Sequence, residues 1–282
     1  MIKLDEVSYT YMSGGPFEKL AVDNVSLRLK DGEFIGLMGH TGSGKSTLIQ
    51  LIGGLLKPSV GSIEINGKVL HSKDCNMREM RFDIGLVMQY PEYQLFEETV
   101  FKDIAFGPTN MGLNKNETEE RVRFAADLVG LNEELLEKSP FELSGGQKRR
   151  AAIAGVLAMQ PKLLILDEPT AGLDPAGREE ILSRICDMHR RLNITVLFVS
   201  HSMEDIASLA DRIIVMNRGR VSMQGTPKEV FSRAAELKKI GLSVPMITDV
   251  CDELRKMGLP IEDGIYTVEK AKAEIERVFK RA

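Results

Sequence analysis

Residues 39–46 read Gly-His-Thr-Gly-Ser-Gly-Lys-Ser and match the spacing G-x-x-x-x-G-K-[ST] of a phosphate-binding loop. The apolar run 34–38 comes directly before this loop and predicts a buried strand, and residues 47–52 predict the start of a helix. A strand, a glycine loop and a helix in this order form the setting in which the motif binds nucleotide phosphates. Glycines let consecutive backbone N–H groups face the phosphates, and the helix N-terminus adds partial positive charge.

The loop divides its work between backbone and side chains. We expect Lys45 to reach the β- and γ-phosphates and the Ser46 hydroxyl to hold Mg²⁺. The predicted nucleotide-binding residues of this stretch are Gly39, His40, Thr41, Gly42, Ser43, Gly44, Lys45, Ser46 and Thr47.

The composition is that of a soluble globular protein. The chain has 282 residues, of which 43% are hydrophobic and 28% charged, and this length fits one large domain with or without a smaller one. The net charge of −4 argues against nucleic acid as the main partner. Cys75, Cys186 and Cys251 lie far apart and read as reduced, structural thiols. No apolar stretch approaches 18 residues, so any membrane part would come from another subunit.

The N-terminal part alternates apolar and polar residues, as half-buried strands do. Residues 2–9 and 21–29 show this alternation, and residues 61–69 suggest a hairpin around Asn66-Gly67. Asp31-Gly32 is a tight-turn signal that leads into the strand before the phosphate loop. The sequence therefore predicts antiparallel strands combined with one nucleotide-binding βα unit.

The remainder of the chain predicts helices and then a parallel sheet. From about 91 to 159 the pattern is helical and reads as an inserted helical subdomain. Buried strands return at 163–166, 195–199 and 212–216, separated by helical segments, which is the alternation of a parallel α/β sheet. After residue 225 the chain becomes helical again and ends in an amphipathic stretch, 268–279, with Ile275, Val278 and Phe279 on one side. We therefore predict a main domain over 1–225 and a helical extension over 226–282.

A second strong motif is the strand 163–166 followed by Asp167 and Glu168. Ligands of open α/β sheets bind outside the carboxyl ends of the strands, which is where these two carboxylates fall. Asp167 is placed to hold Mg²⁺, directly or through water. Glu168 is placed to orient or deprotonate an attacking water.

The third motif is Leu-Ser-Gly-Gly-Gln at 143–147, at the start of a predicted helix. A Ser-Gly-Gly helix start forms a second anion-binding nest, about a hundred residues from the first. If one triphosphate uses both, the two sites must face each other within one chain or across a dimer. The basic run 148–150 that follows is interpreted as a solvated helix face.

Together these motifs resemble the nucleotide-binding subunit of an ABC transporter over residues 1 to about 225. The resemblance implies a P-loop NTPase of the ABC ATPase type, with an antiparallel β subdomain, a RecA-like parallel sheet core, the inserted helical subdomain and a small helical C-terminal extension. It implies ATP and Mg²⁺ as ligands and ATP hydrolysis as the activity.

The resemblance also implies individual roles. Gln89 matches the Q-loop residue, which senses Mg²⁺ and the attacking water, and His201 matches the switch histidine near the γ-phosphate and Glu168. Asp174 lies in the D-loop at the dimer interface, and Tyr11 resembles the aromatic residue that stacks on adenine. The signature residues, which contact the nucleotide of the opposite subunit, are Ser144, Gly145, Gly146 and Gln147.

A narrower resemblance is to the energy-coupling factor (ECF) transporter ATPases, in particular the second of two paralogues. It is carried by residues 90–100, 105–108, 17–19 and 241–245. It implies a paralogous ATPase as dimer partner, a transmembrane T component contacted through the region Gln89 to Val100, and small substrate-binding S components contacted indirectly. It also implies a peripheral place on the cytoplasmic face of the cell membrane and import of vitamins or metal ions.

The residues agree with a partner surface in this region. Tyr90, Tyr93, Leu95 and Phe96 are too apolar for a water-facing loop and predict a groove for a partner helix. The acidic residues of the same stretch are expected to meet basic residues on that helix; they are Glu92, Glu97 and Glu98.

Other functions stay open at this point. One is the ATPase of another ABC importer or exporter, and another is an ABC protein that acts on ribosomes or DNA. The single ATPase domain, the acidic charge and the lack of heptads disfavour the latter. The sequence leaves open the transported substrate, the choice between heterodimer and homodimer, and the role of the C-terminal extension, although the resemblance favours a heterodimer.

Overall fold

The computed structural model describes residues 1–280. Its strands are β1 (Ile2–Tyr11), β2 (Lys19–Leu29), β3 (Phe34–Met38), β4 (Val60–Ile65), β5 (Lys68–Val69), β6 (Ile84–Val87), β7 (Leu163–Asp167), β8 (Thr195–Val199), β9 (Arg212–Asn217) and β10 (Arg220–Gly225). Its α-helices are α1 (Lys45–Ile52), α2 (Met77–Phe82), α3 (Val100–Asn110), α4 (Lys115–Val129), α5 (Glu133–Leu136), α6 (Gly145–Leu157), α7 (Pro175–Leu192), α8 (Met203–Leu209), α9 (Pro227–Phe231), α10 (Ala234–Lys239), α11 (Met246–Lys256) and α12 (Val268–Phe279).

The strands form two sheets. Four of them pair in the order β2-β1-β4-β5, with antiparallel neighbours throughout. The other six pair in the order β10-β9-β3-β8-β7-β6, and every pair in this sheet is parallel except β10 with β9. This confirms the predicted combination of an antiparallel subdomain with a parallel α/β core.

The parallel sheet is buried on both faces because successive side chains of a strand point to opposite sides. In β3, Ile35 and Leu37 pack with the antiparallel sheet and α1, whereas Phe34 and Met38 pack with helices on the other face. The chain is therefore layered as antiparallel sheet with α1, parallel sheet, and helices. Continuous apolar runs in β3, β7 and β8 follow from burial on both faces.

Two strands escape sequence-based prediction, and both are edges of the parallel sheet. β6 is a short apolar strand similar in pattern to β3, which the sequence analysis did not identify, and β10 alternates polar and apolar residues as a half-buried edge strand does. The Asp31-Gly32 turn leads into β3 as expected, but it connects the two sheets and closes no hairpin. The hairpin around Asn66-Gly67 is confirmed as the β4–β5 pair.

The stretch between β6 and β7 is helical, as predicted, and contains α3 to α6. Within residues 1–280, no helix is both long enough and apolar enough to cross a bilayer. The C-terminal helices divide into two groups by packing. Phe231 of α9 and Leu237 of α10 belong to the main core, whereas Cys251 of α11 and Val278 of α12 belong to a separate small core. Phe279 of α12 is 62% exposed, so it lies outside the packed face that was expected to include it.

The topology brings four chain segments to one edge of the parallel sheet. Strands β3, β8, β7 and β6 are consecutive neighbours and run parallel, so their carboxyl ends lie side by side. The segments that follow these ends are the phosphate loop, His201, Asp167-Glu168 and Gln89, in that spatial order. Residues far apart in sequence therefore meet where ligands of open α/β sheets bind.

Candidate nucleotide-binding and catalytic site

A cavity of about 510 Å³ lies at this edge of the sheet. We call it the nucleotide cavity. Most predicted site residues line it, together with two that the sequence analysis did not assign to the site, Lys19 and Ala21 of β2. The lining residues are Tyr11, Lys19, Ala21, Thr41, Gly42, Gly44, Lys45, Ser46, Thr47, Gln89, Asp167, Glu168 and His201.

The phosphate loop needs glycine where other backbone comes close. Gly44 has φ 102° and precedes α1, and a Cβ there would lie 2.4 Å from the Ala21 carbonyl oxygen. Gly39 has φ 158°, and a Cβ there would lie 2.5 Å from the Met216 carbonyl oxygen. No side chain can be added at either position without displacing backbone, so these glycines are required by packing as well as by phosphate access.

Three predicted loop residues lie outside the cavity lining. Gly39 and Ser43 are buried, and the Ser43 hydroxyl has no hydrogen-bond partner among residues 1–280. The His40 ring contacts the Asn217 side-chain oxygen at 3.0 Å. Their roles as nucleotide ligands stay predictions. In this structure they belong to the part of the loop that does not line the cavity.

Lys45 is buried beneath the loop. Its ammonium donates to the carbonyl oxygens of Gly39 at 2.5 Å and His40 at 3.2 Å. Burial lowers the pKa of Lys45, and the charges of Glu168 and Asp167 oppose that shift. The ammonium is therefore a desolvated cation beside two carboxylates, and such a cation interacts strongly with phosphate oxygens.

Asp167 ends β7 and is only 9% exposed. Burial raises its pKa to about 6, the charge of Glu168 adds to the rise, and Lys45 and His201 oppose it. A buried carboxylate with a raised pKa is a group whose ionised form gains much from a nearby cation. Asp167, Ser46 and Gln89 all line the nucleotide cavity and offer oxygen atoms, the ligand type that Mg²⁺ prefers. This donor set fits the expected Mg²⁺ ion.

Glu168 is held in an unusual conformation directly after β7. Its φ is 50°, in the left-handed region, and its backbone N–H donates to the Val199 carbonyl at 2.9 Å. The two carboxylate oxygens have different neighbours: one lies 2.7 Å from His201 Nε2, and the other accepts from the Gln89 amide at 3.5 Å. Non-glycine residues with a left-handed φ are often found at functional sites. Here this conformation turns the carboxylate toward the residues that follow the two neighbouring strands.

Tyr11 ends β1 at the rim of the cavity. Its hydroxyl lies 3.2 Å from the Thr47 hydroxyl, and its ring packs edge-on against Tyr9 with centroids 4.8 Å apart. The ring is 36% exposed, so a face remains open to a base. The position suits the adenine-stacking role that the resemblance implies, while Tyr9 supports the ring from behind.

The signature motif lies elsewhere. Ser144 caps α6 and forms a capping box with Gln147, and neither residue lines the nucleotide cavity. A Cβ at Gly145 or Gly146 would meet nothing within 4 Å. Asp174 also lies outside the cavity and caps α7 through the Gly177 N–H. Of the two arrangements left open by the sequence, this placement favours the one in which a second chain supplies the signature motif.

Two interpretations of charged residues are wrong. The run 148–150 does not form a solvated face, because Arg149 is 2% exposed and Arg150 pairs with Glu180 at 2.6 Å. Glu92 does not face outward either, since it forms a bidentate ion pair with Arg149 at 2.7 and 3.1 Å. The helical period of α6 places Arg149 on the inner side, and no local pattern identifies its partner 57 residues away.

The predicted apolar surface is present. Tyr93 is 84% exposed and Phe96 60% exposed, and Phe96 packs edge-on against Phe106 of α3 with centroids 5.1 Å apart. Beside them lies a groove of about 380 Å³ between α3 and α6. We call it the partner groove. Its apolar lining includes Leu95, Phe96, Phe106, Val156 and Met159.

Comparison with known proteins agrees with this geometry. The family model described as ABC transporter matches residues 22–171. The energy-coupling factor transporter ATP-binding protein EcfA2 of Caldanaerobacter subterraneus subsp. tengcongensis is 57% identical over 99% of this chain and 98% of that protein. The protein of the same name from Clostridium tetani is 53% identical over 99% of this chain and 97% of that protein.

Solved structures show the same fold. CbiO1 of Clostridium perfringens, part of the ABC transporter complex cbiONQ, superposes with a TM-score of 0.75 at 41% identity, over 85% of this chain and 93% of that one. A dimeric ATP-binding cassette in a post-hydrolysis state, bound to ADP and Pi, superposes with a TM-score of 0.71 at 31% identity, over 80% of this chain and 98% of that one.

Proposed function

This chain belongs to the ABC transporter family of ATP-binding proteins, and from that premise we propose that it is the ATP-hydrolysing motor subunit of an energy-coupling factor importer. One observation carries the proposal. The phosphate loop, Asp167, Glu168, His201 and Gln89 meet in a single cavity, whereas the signature motif lies outside it. The cavity therefore lacks the signature motif, and we infer that a second cassette supplies it.

Within the cavity each residue has a distinct task in ATP hydrolysis. Lys45 exchanges its loop carbonyls for phosphate oxygens when ATP binds, and the loop N–H groups hold the same phosphates. Ser46, Asp167 and Gln89 would hold Mg²⁺, which would neutralise charge that develops on the phosphates. Glu168 accepts the proton of the attacking water. His201 bonds the Glu168 carboxylate and keeps it aimed at that water.

The second cassette contributes its signature helix. At the start of α6, Ser144 and Gly145 are exposed and Gly146 is half-buried. A γ-phosphate from another chain can therefore approach the helix N-terminus. ATP thereby acts as a ligand that binds the closed pair more tightly than the open one, and this difference alone drives closure. Resemblance to EcfA2 favours a paralogous cassette as partner, with a homodimer as the alternative.

The membrane partner is proposed to dock at the partner groove. A helix with an apolar face suits the exposed Tyr93 and Phe96. Glu98, whose side chain is 81% exposed, pairs with Lys102 on the same segment, so a basic partner residue would have to compete with that lysine. Asp103 holds this surface in place by accepting from the backbone N–H of Glu97 at 2.9 Å. The T component would bind here at the cytoplasmic face, and S components, reached indirectly, would select the vitamin or metal ion.

The test is affinity purification of the tagged full-length chain from detergent-solubilised membranes of its native host, with mass spectrometry of the bound proteins. Phe96→Asp places a charge in the partner groove. Met257→Asp is the matched control, because Met257 is 78% exposed at the end of α11, on another element. We expect the wild type and Met257→Asp to retain a second cassette, one larger membrane protein and several small ones.

Phe96→Asp should keep the second cassette and lose the membrane proteins. Recovery of a dedicated permease pair in place of the T and S components would retain the ATPase function and reject the ECF assignment. Recovery of ribosomal or DNA-bound proteins alone would reject transport.

A further inference from the structure

Arg149 is one of the largest fully buried side chains among the described residues, at 2% exposure. Its guanidinium forms two parallel bonds with the Glu92 carboxylate, Nη2 to Oε1 at 2.7 Å and Nε to Oε2 at 3.1 Å. The remaining nitrogen, Nη1, donates to the carbonyl oxygens of Pro169 at 3.1 Å and Ala171 at 2.7 Å. One side chain thus holds a carboxylate and two backbone carbonyls, which the planar fork of arginine allows and lysine does not.

These contacts join three functional elements. Arg149 lies on α6, five residues after Ser144 of the signature motif. Glu92 lies in the short helix Pro91–Gln94, next to the exposed Tyr93. Pro169 and Ala171 belong to the turn that begins at Glu168.

That last turn contains the residue proposed as the base. The Ala171 N–H donates to the Glu168 carbonyl at 3.1 Å, so Arg149 holds both the first residue after Glu168 and the residue that closes the turn. Because Glu168 has a left-handed φ of 50°, its aim depends on what holds the turn around it.

We infer that Glu92 and Arg149 form a positioning pair that relays the position of the helix Pro91–Gln94 to the turn that aims Glu168. The inference rests on the proposed function, in which a membrane partner docks beside this helix. A partner that displaces the helix Pro91–Gln94 also displaces Glu92. Because the bidentate bond links Glu92 to Arg149, the guanidinium shifts with it. The guanidinium in turn shifts the backbone carbonyls of Pro169 and Ala171, to which it donates. The pair touches no nucleotide, so its effect falls on the aim of Glu168 rather than on ATP affinity.

A purely structural role is the competing explanation, since removing one member of a buried pair leaves an unpaired charge that lowers stability. The chain provides a matched comparison. Arg150, the next residue of α6, pairs with Glu180 at 2.6 Å, and within residues 1–280 no hydrogen bond or ion pair joins it to the Glu168 turn. Breaking that pair removes an ion pair from the same helix without touching the proposed relay.

The experiment uses the full-length chain in its purified complex, with ATP as substrate and with the variants Glu92→Gln, Arg149→Lys, the double variant and Glu180→Gln. We measure kcat and KM for ATP per folded molecule, the thermal midpoint, and retention of the membrane proteins. Glu92→Gln keeps the side-chain volume but loses the charge and half of the bidentate bond. Arg149→Lys keeps the charge but loses the fork.

We expect each single variant to lower kcat about tenfold, with KM within about twofold and the membrane proteins retained. The double variant should lose no more than the stronger single variant, because the two residues act as one unit. Glu180→Gln should keep kcat within about twofold of wild type.

Unchanged kcat in folded Glu92→Gln would overturn the inference, and so would losses that multiply in the double variant or an equal loss in Glu180→Gln. If the wild-type chain captures no membrane protein, the transport function fails instead. The kcat comparison on the ATP-dependent dimer would then still decide whether the pair positions Glu168.

Discussion

At the residue scale, the neighbours Asp167 and Glu168 differ in backbone conformation, and this difference gives their carboxylates different surroundings. Asp167 is the last residue of a buried strand, and its carboxylate is buried near Lys45. Burial raises the pKa of this carboxylate to about 6. Glu168 is the next residue, and its φ of 50° turns it out of the strand toward His201. The first is therefore suited to hold a cation and the second to accept a proton.

Replacement of Glu168 by Gln keeps the shape of the side chain and one acceptor oxygen but removes its basicity. We expect kcat for ATP to fall at least about 100-fold, while ATP still binds and an ATP-bound dimer accumulates. Phosphate release and size-exclusion chromatography with ATP measure the two effects. Glu179→Gln, at an exposed position of α7, is the control and should behave as wild type. Retained turnover in Glu168→Gln would disprove the role of Glu168 as base.

The raised pKa of Asp167 predicts a pH effect on stability. Folded Asp167 binds its proton up to about pH 6, whereas the unfolded chain releases it near pH 4. The folded state therefore binds more protons in this window, and the free energy of unfolding falls as pH rises from about 4 to 6. Urea unfolding of the wild type and Asp167→Asn isolates this residue.

The wild type should lose stability relative to Asp167→Asn up to about pH 6, and the difference should then level off. Saturating Mg²⁺ with ATP should recover part of the loss, because the cation favours the ionised carboxylate. A difference that does not change with pH would show that burial does not control this group.

At the element scale, helix α6 serves three parts of the molecule. Its N-terminus presents the signature motif, its inner face carries Arg149, and its second half forms a wall of the partner groove through Val156. A rigid helix moves these three features together. In the proposed function, this helix would connect the nucleotide bound to the opposing cassette with the partner groove of its own cassette.

Gly145 offers a test of the exposed end of α6. A Cβ there meets no atom within 4 Å, so Gly145→Asp should fold normally. Its carboxylate would repel the γ-phosphate of the opposing nucleotide, and we expect kcat to fall about 100-fold with ATP affinity within about threefold. Fluorescent-nucleotide titration and phosphate release measure these quantities.

Gly145→Ala is the matched control, since it adds bulk without charge and should lose far less activity. If Gly145→Asp also abolished ATP binding, the signature motif would have to act within its own chain.

At the scale of the whole molecule, the parallel sheet separates two cores and brings the four functional segments to one edge. The C-terminal helices add a third, small core of their own. The packing changes only after about residue 245, and the domain boundary at 225/226 stays a prediction. α9 and α10 complete the main core, and only the helices after residue 245 pack largely among themselves.

Two truncations test this division. A chain ended after residue 245 should fold and bind ATP within about threefold of wild type, with a loss of about 1–2 kcal/mol from contacts such as Tyr266 with Phe231. A chain ended after residue 225 also loses Phe231 and Leu237, both fully buried, at about 3 kcal/mol each or more. It should be unfolded or insoluble.

Circular dichroism, urea unfolding and ATP titration measure the outcome. A well-folded chain ended at residue 225 would support the predicted domain boundary, and an unfolded chain ended at 245 would show that the small core is integral to the main one.

The sequence by itself determined the motifs and the family. The phosphate loop, the Asp-Glu strand end and the signature each depend on residue types at fixed short spacing, since a glycine loop or a helix cap is a local backbone property. The central strands could also be predicted from the sequence, because a strand that is buried on both faces requires a continuous apolar run.

Only the tertiary structure decided which distant residues meet. The order of β3, β8, β7 and β6 places the four functional segments together, and it leaves the signature motif outside the cavity. The Glu92–Arg149 pair likewise joins side chains that lie 57 residues apart in the sequence. Such contacts carry no local periodicity, because their free energy comes from burial and charge pairing that exist only after the layers have packed.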